Sequence, residues 1–294
     1  MMTTPAPAPT RRVQDALRWA AGQLESTAEP RLAARLLLAH ALACSTTDLF
    51  VHPERALTPE QWAEYRRLIC RRARHEPVAY LIGHREFFGL DLLVDERVLI
   101  PRPETELLVE RAIATAKPAA QNGPLRIIDV GTGSGAIAVS LAVHLPQAVI
   151  FATDASADAL SVARANARRQ RVAERITFLK GDLLAPLTTP VEIIVANLPY
   201  VGEREYAALP PNIRLYEPRR ALIAGDDGLK AIRTLFSQAR AHLAAQGVVL
   251  VEIGAQQGAA VSTWAARVFP NARIAVHPDY AGLDRIVECV VTTR

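Results

Sequence analysis

The last 170 residues of the chain alternate short apolar runs with longer helical patterns. Seven apolar, β-branched runs predict strands at residues 125–130, 149–153, 176–179, 193–196, 248–253, 273–276 and 286–291. Four stretches with helical spacing separate them, at residues 136–145, 157–169, 229–243 and 255–269. Such alternation is typical of a mostly parallel sheet covered by helices on both faces, so the predicted fold class is α/β.

The first hundred residues follow other patterns. Apolar residues at helical spacing over 13–74 predict several short helices. Residues 76–100 change to short apolar runs separated by glycine and charge, which predicts a β-hairpin linker. We therefore predict a disordered Pro/Ala-rich tail (1–10), a small all-helical domain (11–75), the hairpin linker (76–100) and the α/β domain (101–294).

The positive charge is confined to the helical domain. Residues 11–75 contain eleven arginines and seven acidic residues, an excess that equals the whole chain's net charge of +4. The rest is balanced, which argues against a polyanion-binding surface on the α/β domain. The basic segment could face nucleic acid or an acidic protein, but a solvated helical surface explains it better.

The cysteines and the N-terminus indicate a protein of a reducing compartment. Cys44, Cys70 and Cys289 are odd in number and widely spaced, which fits neither a disulfide framework nor a zinc site. The first ten residues lack the apolar core of a signal peptide. The longest uncharged stretch, 130–153, is broken by glycines and by Pro146, so a core helix between strands explains it better than a membrane span. We expect a cytoplasmic protein that uses neither metal nor membrane.

Three strand ends predict a nucleoside site. Glycines alternate in Gly131-Thr132-Gly133-Ser134-Gly135, a spacing that favours methyltransferases over the G-x-G-x-x-G of dehydrogenases. Asp154 ends the second strand, where a carboxylate can accept both ribose hydroxyls or cap the next helix. Asp182 and Leu183 follow the third strand and suit an adenine amino group and ring, although a turn acid is the alternative. Together these ends predict an adenosyl ligand.

Two further segments carry unusual polar residues. The fourth strand ends in Asn197-Leu198-Pro199-Tyr200, which places a carboxamide, a rigid turn and an aromatic ring where open α/β sheets bind ligands. A turn stabilised by proline is the plainer interpretation. Pro101-Arg102-Pro103-Glu104 precedes a helical pattern, and its acid can simply favour the positive end of that helix. The rigid Pro-Arg-Pro indicates that something more is held in place.

These motifs resemble those of a known family. Residues 129–135, Asp154, Asp182 and 197–200 are similar to motifs of class I S-adenosylmethionine-dependent methyltransferases that methylate amino groups. More narrowly, residues 100–106 and 197–201, together with Tyr216-Glu217-Pro218, Ala221-Leu222 and residues 225–229, resemble the HemK-type release-factor glutamine methyltransferases. That resemblance implies a Rossmann-like seven-stranded sheet and a helical N-terminal domain that recognises the substrate.

The resemblance also implies the reaction. Such enzymes move the methyl group of S-adenosylmethionine to the side-chain amide nitrogen (N5) of the glutamine in the Gly-Gly-Gln motif of bacterial class-one peptide-chain release factors. S-Adenosylhomocysteine is the other product. We therefore expect a release factor as the partner, with no nucleic acid partner, and an enzyme that acts as a monomer.

Residue roles follow from the same resemblance. The implied cofactor-binding residues are Gly131, Thr132, Gly133, Ser134, Gly135, Asp154, Asp182, Leu183 and Asn197. The implied catalytic and substrate-binding residues are Asn197, Leu198, Pro199 and Tyr200, with Arg102 and Glu104 also on the substrate side. The Asn197 side-chain oxygen and the Leu198 carbonyl would accept the two N–H bonds of the target amide, while Pro199 holds the turn and Tyr200 packs on the amide plane. The family usually has proline at position 198, and leucine can supply the same carbonyl.

Three other functions remain open on the residues alone. Asn-x-Pro-Tyr chemistry also serves adenine-N6 methyltransferases on DNA or RNA, and Asn-Leu-Pro-Tyr occurs in adenine dimethyltransferases of ribosomal RNA. The latter carry their helical target domain after the catalytic domain, whereas here the helices come first. A ribosomal-protein glutamine methyltransferase is the nearest alternative. A non-catalytic adenosyl-binding module is the third, and the intact glycines, acids, Asn197 and Tyr200 argue against it.

Overall fold

The structure is a computed structural model that describes residues 11–119 and 125–291, so the tail predicted at 1–10 lies outside the described residues. Its helices are α1 Val13–Gln23, α2 Pro30–Leu42, α3 Thr46–Val51, α4 Pro59–Arg72, α5 Val78–Ile82, α6 Glu104–Ala119, α7 Ala136–His144, α8 Ala157–Arg169, α9 Glu203–Tyr206, α10 Pro211–Arg214, α11 Lys230–His242 and α12 Gly258–Val268. Its strands are β1 His84–Phe87, β2 Leu90–Leu93, β3 Arg126–Val130, β4 Val149–Asp154, β5 Ile176–Lys180, β6 Val191–Ala196, β7 Leu243–Glu252, β8 Arg273–Pro278 and β9 Asp284–Val290.

The described chain divides into two compact units. The first contains the residues up to Gly83 together with Pro211–Tyr216, and the second contains His84–Pro210 and the residues from Glu217 onward. In the first unit, α1, α2 and α4 bury a core that includes Leu37, Tyr65 and Leu68. The Tyr65 hydroxyl is buried there and donates a 3.0 Å hydrogen bond to the Ala34 carbonyl.

The hairpin predicted for 76–100 is shorter in the structure. Strands β1 and β2 pair only over 84–93, and α5 occupies part of the segment before them. This short helix starts after Pro77 at its N-cap and ends at Gly83, whose φ of +80° is the left-handed conformation that terminates helices. A short apolar run does not by itself distinguish strand from helix, so these two residues decide the outcome.

The second unit is built on one seven-stranded sheet, which confirms the α/β prediction. The strand order is β5-β4-β3-β6-β7-β9-β8, with five parallel strands followed by the antiparallel pairs of β9 with β7 and β8. The order reverses between β3 and β6, which is the switch point where open α/β sheets bind ligands. Val130 pairs with Ala196, and Ala196 pairs with Val251. The residues that follow these three strands therefore meet at one edge.

Alternating residues of the central strands feed two separate apolar cores. Ile127 and Ile193 belong to one core with residues of α6 and α7, and Ile128 and Ile194 belong to the other with residues of α11 and α12. Successive side chains of a strand point to opposite faces, so this division is expected of a sheet covered on both sides. Seven consecutive residues of α7, from 136 to 142, are buried, which matches the core helix predicted for the uncharged stretch.

Strand β7 begins five residues earlier than the alternation predicts. Leu243 pairs with Val191, and a register shift separates this pair from the regular ladder that starts at Val248. The additional pairing comes from the tertiary partner, so local sequence does not reveal it. No helix in residues 11–119 or 125–291 is both long and apolar enough to cross a bilayer.

One buried asparagine joins the hairpin, α8 and the glycine-rich loop. The Asn166 carboxamide accepts from the Leu93 N–H at 2.7 Å and donates to the carbonyls of Leu93 and Ser134 at 2.9 and 2.8 Å. We predict that Asn166→Ala lowers the free energy of unfolding by about 2–4 kcal/mol, because buried backbone groups lose their partners. Urea denaturation of the full chain measures this. Exposed Gln147→Ala is the control and should stay within about 0.5 kcal/mol; equal losses for both variants would contradict the assignment.

Candidate active site

A cavity of about 650 Å³ lies at the carboxyl edge of the sheet, inside the second unit. This volume is within the range of about 300–1,000 Å³ typical of small-molecule sites. The sequence-predicted residues that line it are Gly131, Gly133, Asp154, Asp182, Leu183, Asn197, Leu198 and Pro199. These residues follow four parallel strands, as the strand-end argument predicts. The structure therefore brings the proposed adenosyl residues and the Asn-Leu-Pro segment to one cavity.

The glycine-rich loop is shaped by close approaches on both of its sides. Gly131 has a φ of +75°, and a Cβ there would lie 2.9 Å from Leu198 Cδ2. Gly135 has a φ of +82°, and its Cβ would lie 3.0 Å from Ala163 Cβ on α8. Only glycine adopts these conformations without strain and leaves room for the neighbour. A glycine at 131 therefore lets Leu198 pack against the loop beside the cavity, whereas a glycine at 135 lets α8 pack close to the loop.

Two predicted cofactor residues of this loop face the protein interior. The Thr132 hydroxyl donates to Asp129 Oδ2 at 2.6 Å, and the Ser134 carbonyl accepts from Asn166. Burial raises the pKa of Asp129 to about 7, although hydrogen bonds from Thr132 and from the Ala138 N–H oppose that rise. Thr132 and Ser134 are both buried, and neither lines the cavity. Their observed contacts stabilise the loop.

Asp154 accepts two hydrogen bonds from the backbone around it. Its Oδ1 accepts the Ser156 N–H at 2.8 Å, just before α8, and its Oδ2 accepts the Gly133 N–H at 2.9 Å. A carboxylate has about four lone-pair sites, so two remain for ligand hydroxyls. Asp154, the glycine backbone and the Asp182-Leu183 pair together provide the acceptors and the apolar surface that an adenosyl group requires. The cavity therefore fits such a ligand.

The Asn197-Leu198-Pro199-Tyr200 segment is held on several sides. Asn197 Nδ2 donates to the Thr105 hydroxyl at 2.9 Å. Leu198 is buried in the apolar core beside Gly131, so leucine at this position fills the space over a residue without a Cβ. Tyr200 does not line the cavity, and burial together with the charge of Glu252 raises its pKa to about 12.

The loop around Gly228 fixes the backbone of that segment. The Tyr200 carbonyl accepts from Gln257 Nε2 at 3.0 Å. A Cβ at Gly228 would lie 2.2 Å from the same carbonyl oxygen, which is far inside contact distance. Gly228, the last residue of the Gly-Asp-Asp-Gly sequence at 225–228, must therefore be glycine, because a side chain there would collide with the Tyr200 carbonyl.

Arg102 and Glu104 do not line the cavity. Arg102 forms a 2.5 Å ion pair with Glu217, whose side chain is fully buried and which also accepts the Ile100 N–H. Burial raises the pKa of Glu217, and Arg102 partly offsets that rise. Glu104 is exposed in the first turn of α6. The Pro-Arg-Pro and Tyr-Glu-Pro segments are thus joined by a partly buried ion pair between residues 115 positions apart.

Sequence reasoning did not single out several residues at this site. Arg97 and Arg220 line the cavity, and Arg220 donates to the Ser156 hydroxyl at 2.6 Å. Thr105 and Glu252 surround the Asn197 carboxamide. The available signal for Glu252 was one acidic residue inside the apolar run 248–253. In the part of the chain that the structure describes, no three His, Cys, Asp or Glu side chains are grouped to hold a metal ion.

The fold is that of the class I methyltransferases. A methyltransferase from Pyrococcus furiosus has a similar fold, with a TM-score of 0.53, 16% identity and coverage of 76% of this chain and 99% of that one. In sequence, residues 15–83 match the family described as PrmC N-terminal domain, and residues 105–209 match the methyltransferase small domain.

Full-length relatives then give the family. A release factor glutamine methyltransferase of Nitratidesulfovibrio vulgaris is 38% identical over 96% of each chain. A release factor glutamine methyltransferase of Moorella thermoacetica is 44% identical over 91% of this chain and 93% of its own. The chain belongs to the release factor glutamine methyltransferase family, as its motifs predicted.

The Arg102–Glu217 pair gives a stability prediction. We predict that Arg102→Ala lowers the free energy of unfolding by about 3–5 kcal/mol near pH 8, because it leaves a buried carboxylate without its cation. The loss should shrink toward pH 4, near the unfolded glutamate pKa of about 4.3. With a folded-state pKa above the unfolded value, Glu217 favours the folded state at low pH, and that contribution disappears as pH rises through the folded pKa.

Urea denaturation at several pH values measures this loss. Arg233→Ala is the control, because Arg233 pairs with Asp227 at the surface and should contribute no more than about 1 kcal/mol. A stable Arg102→Ala variant with a raised KM would instead favour the predicted substrate-binding role.

Proposed function

We propose that this chain methylates the N5 amide nitrogen of the glutamine in the Gly-Gly-Gln motif of class-one release factors. The observation that carries the proposal is the position of Asn197, which lies on the cavity with its NH2 group turned to Thr105. Its oxygen is then the group left to accept from a substrate. Family membership supports the same reaction.

S-Adenosylmethionine is the methyl donor of the family, and when bound it supplies an electrophilic methyl group on a sulfonium. We assign its ribose hydroxyls to Asp154, and its adenine amino group and ring to Asp182 and Leu183. The backbone at Gly131 and Gly133 leaves room for the ligand at the cavity wall. Thr132, Ser134 and Gly135 hold that loop in shape. The residues of the cavity thus provide partners for the ribose hydroxyls, the adenine amino group and the adenine ring.

The chain must act mainly by positioning, because delocalisation into the carbonyl makes an amide nitrogen a poor nucleophile. We propose that Asn197 Oδ1 and the Leu198 carbonyl accept the two N–H bonds of the glutamine amide. These acceptors align the nitrogen lone pair with the methyl group and stabilise positive charge as it develops on nitrogen. Pro199 fixes the turn, and Tyr200, whose carbonyl is held by Gln257, ends the segment that borders the amide. The methylated nitrogen then becomes acidic enough to lose its proton to water.

Further assignments concern the helical domain, the Pro-Arg-Pro-Glu segment and the place of the enzyme in the cell. We propose that the helical domain, residues 11–75, is the substrate-recognition part; residues 15–83 match a family model that precedes the methyltransferase match at 105–209. We propose that Arg102 and Glu104 act on the substrate side indirectly, because the Arg102–Glu217 ion pair fixes the backbone of the segment to which both residues belong. We place the enzyme in the bacterial cytoplasm as a monomer, where three free cysteines are compatible with a reducing environment.

The direct test offers the enzyme a choice of substrates. Labelled S-adenosylmethionine is incubated with the full chain and a mixture of release factor, ribosomal proteins and nucleic acid. We predict label on the release factor, and none when the glutamine of its Gly-Gly-Gln motif is replaced by alanine. Label on a ribosomal protein would select the nearest alternative. Label on nucleic acid, with binding that weakens steeply with salt, would select the adenine methyltransferase.

Two variants separate the cofactor site from the amide site. We predict that Asn197→Ala lowers kcat by about 10²–10³-fold, because it removes one acceptor from the reacting amide, while the Kd of the methyl donor changes little. Asp154→Ala should instead raise that Kd by about tenfold or more, since lost charge-assisted hydrogen bonds contribute about 1.5–3 kcal/mol each. Calorimetry and single-turnover labelling measure the two effects. Normal turnover by Asn197→Ala would rule out the mechanism.

A further inference from the structure

A buried polar cluster lies directly behind Asn197. Glu252 is the last residue of β7, and the pairing of Ala196 with Val251 places it beside Asn197. Its side chain is only 1% exposed, and that of Thr105, on α6, is 4% exposed. Oε2 of Glu252 has no hydrogen-bond partner among residues 11–119 and 125–291. A buried carboxylate with one unpartnered oxygen is costly, so a functional reason for its retention is expected.

One hydrogen bond sets the direction of this cluster. Asn197 Nδ2 donates to the Thr105 hydroxyl oxygen at 2.9 Å, which leaves the hydroxyl proton of Thr105 for another acceptor. Glu252 is the acid beside these groups, and both Thr105 and Asn197 favour its ionised form and so lower its pKa. An ionised carboxylate only accepts, so Thr105 and Asn197 can meet it only through O–H and N–H. With its NH2 group turned inward, Asn197 has Oδ1 to offer to the cavity.

We propose that Glu252 and Thr105 are positioning residues that hold the Asn197 carboxamide with its NH2 turned inward and its oxygen toward the substrate. The inference rests on the proposed function in one respect, since the substrate is taken to donate N–H to that oxygen. It also gives a reason for substrate class. A fixed acceptor favours a group that carries N–H, such as a primary amide, over a group that only accepts.

The charge state of Glu252 should then control the orientation. Burial raises the pKa of Glu252 to about 7; Thr105, Arg285 and Asn197 oppose the rise, and Glu104 adds to it. Tyr200 also faces Glu252 and stays neutral through this range. When Glu252 is protonated it becomes a donor, so the network no longer fixes the Asn197 NH2 inward. We expect kcat to rise with pH through an apparent pKa near 7.

The first experiment needs no substrate. Side-chain amide NMR of the ¹⁵N-labelled full chain should show both Asn197 Nδ2 protons protected from exchange at pH 8, and the protection should be lost in Glu252→Gln. A glutamine presents an NH2 group where the carboxylate accepted, so it disrupts the direction of the network. Unprotected Nδ2 protons in the unmodified chain would overturn the proposal, whatever the substrate is.

The second experiment uses activity on release factor. Glu252→Gln should lower kcat by about 100-fold, because a misplaced acceptor costs a loss of that order, and it should flatten the pH profile without changing methyl-donor Kd. Thr105→Val should lose activity similarly, whereas Thr105→Ser, which keeps the hydroxyl, should restore it. Glu288→Gln is the matched control, because Glu288 is a buried glutamate of the same sheet that pairs with Arg111 and His277. This variant should keep the kcat and the pH profile of the unmodified chain.

The outcomes separate this inference from the proposed function. If the unmodified chain transfers no methyl to release factor, the proposed function fails and the NMR result alone decides the positioning role. If transfer occurs, a Glu252→Gln variant with the kcat and pH profile of the unmodified chain overturns the positioning role. Should Glu252→Gln fail to fold, Thr105→Val and Thr105→Ser decide, and equal kcat values for these two would overturn it.

Discussion

The site depends on the parallel pairing of β3, β6 and β7. Once Val130 lies beside Ala196 and Ala196 beside Val251, the next residue of each strand is placed without further choice. Those next residues are Gly131, Asn197 and Glu252. Gly131 leaves space because it has no Cβ, Asn197 supplies a carboxamide, and Glu252 supplies a buried acid. A slip of one residue would turn each side chain to the other face of the sheet. The apolar cores on the two faces fix the register, so the packing of the fold also fixes the geometry of the site.

Much of this arrangement can be predicted from the sequence because it depends on local pattern. Alternation of short apolar runs with helical stretches gives the α/β class, and polar residues that follow the runs identify the edge of the sheet. The ends of helices and strands are harder to predict from the sequence where contacts with other parts of the fold determine them. Residues 78–82 are helical because Pro77 and Gly83 bound them, and Leu243 joins β7 because Val191 is its partner.

Side-chain orientation is the part that the sequence does not reveal. Thr132 and Arg102 both belong to motifs, yet both side chains turn to other protein groups. The Thr132 hydroxyl donates to Asp129, and the Arg102 guanidinium pairs with Glu217, which is far along the chain. Such partners are fixed only when the chain is folded. A single chain gives no information on which distant residues meet. A motif therefore identifies a functional segment more securely than it identifies the role of each residue in it.

Two buried acids flank the central strand β6, and each interacts with a threonine hydroxyl. Asp129, on β3, accepts from the Thr132 hydroxyl. The Thr105 hydroxyl favours the ionised form of Glu252, on β7. Burial raises the pKa of both acids to about 7, so both cost folding free energy when ionised. Hydrophobic residues in their places would pack the sheet at lower cost, but they could not fix the direction of a hydrogen bond. Asp129 shapes the glycine-rich loop, and the strand register places Glu252 beside Asn197. The two costs therefore lie at the proposed cofactor side and the proposed substrate side of the cavity, which must be aligned with each other.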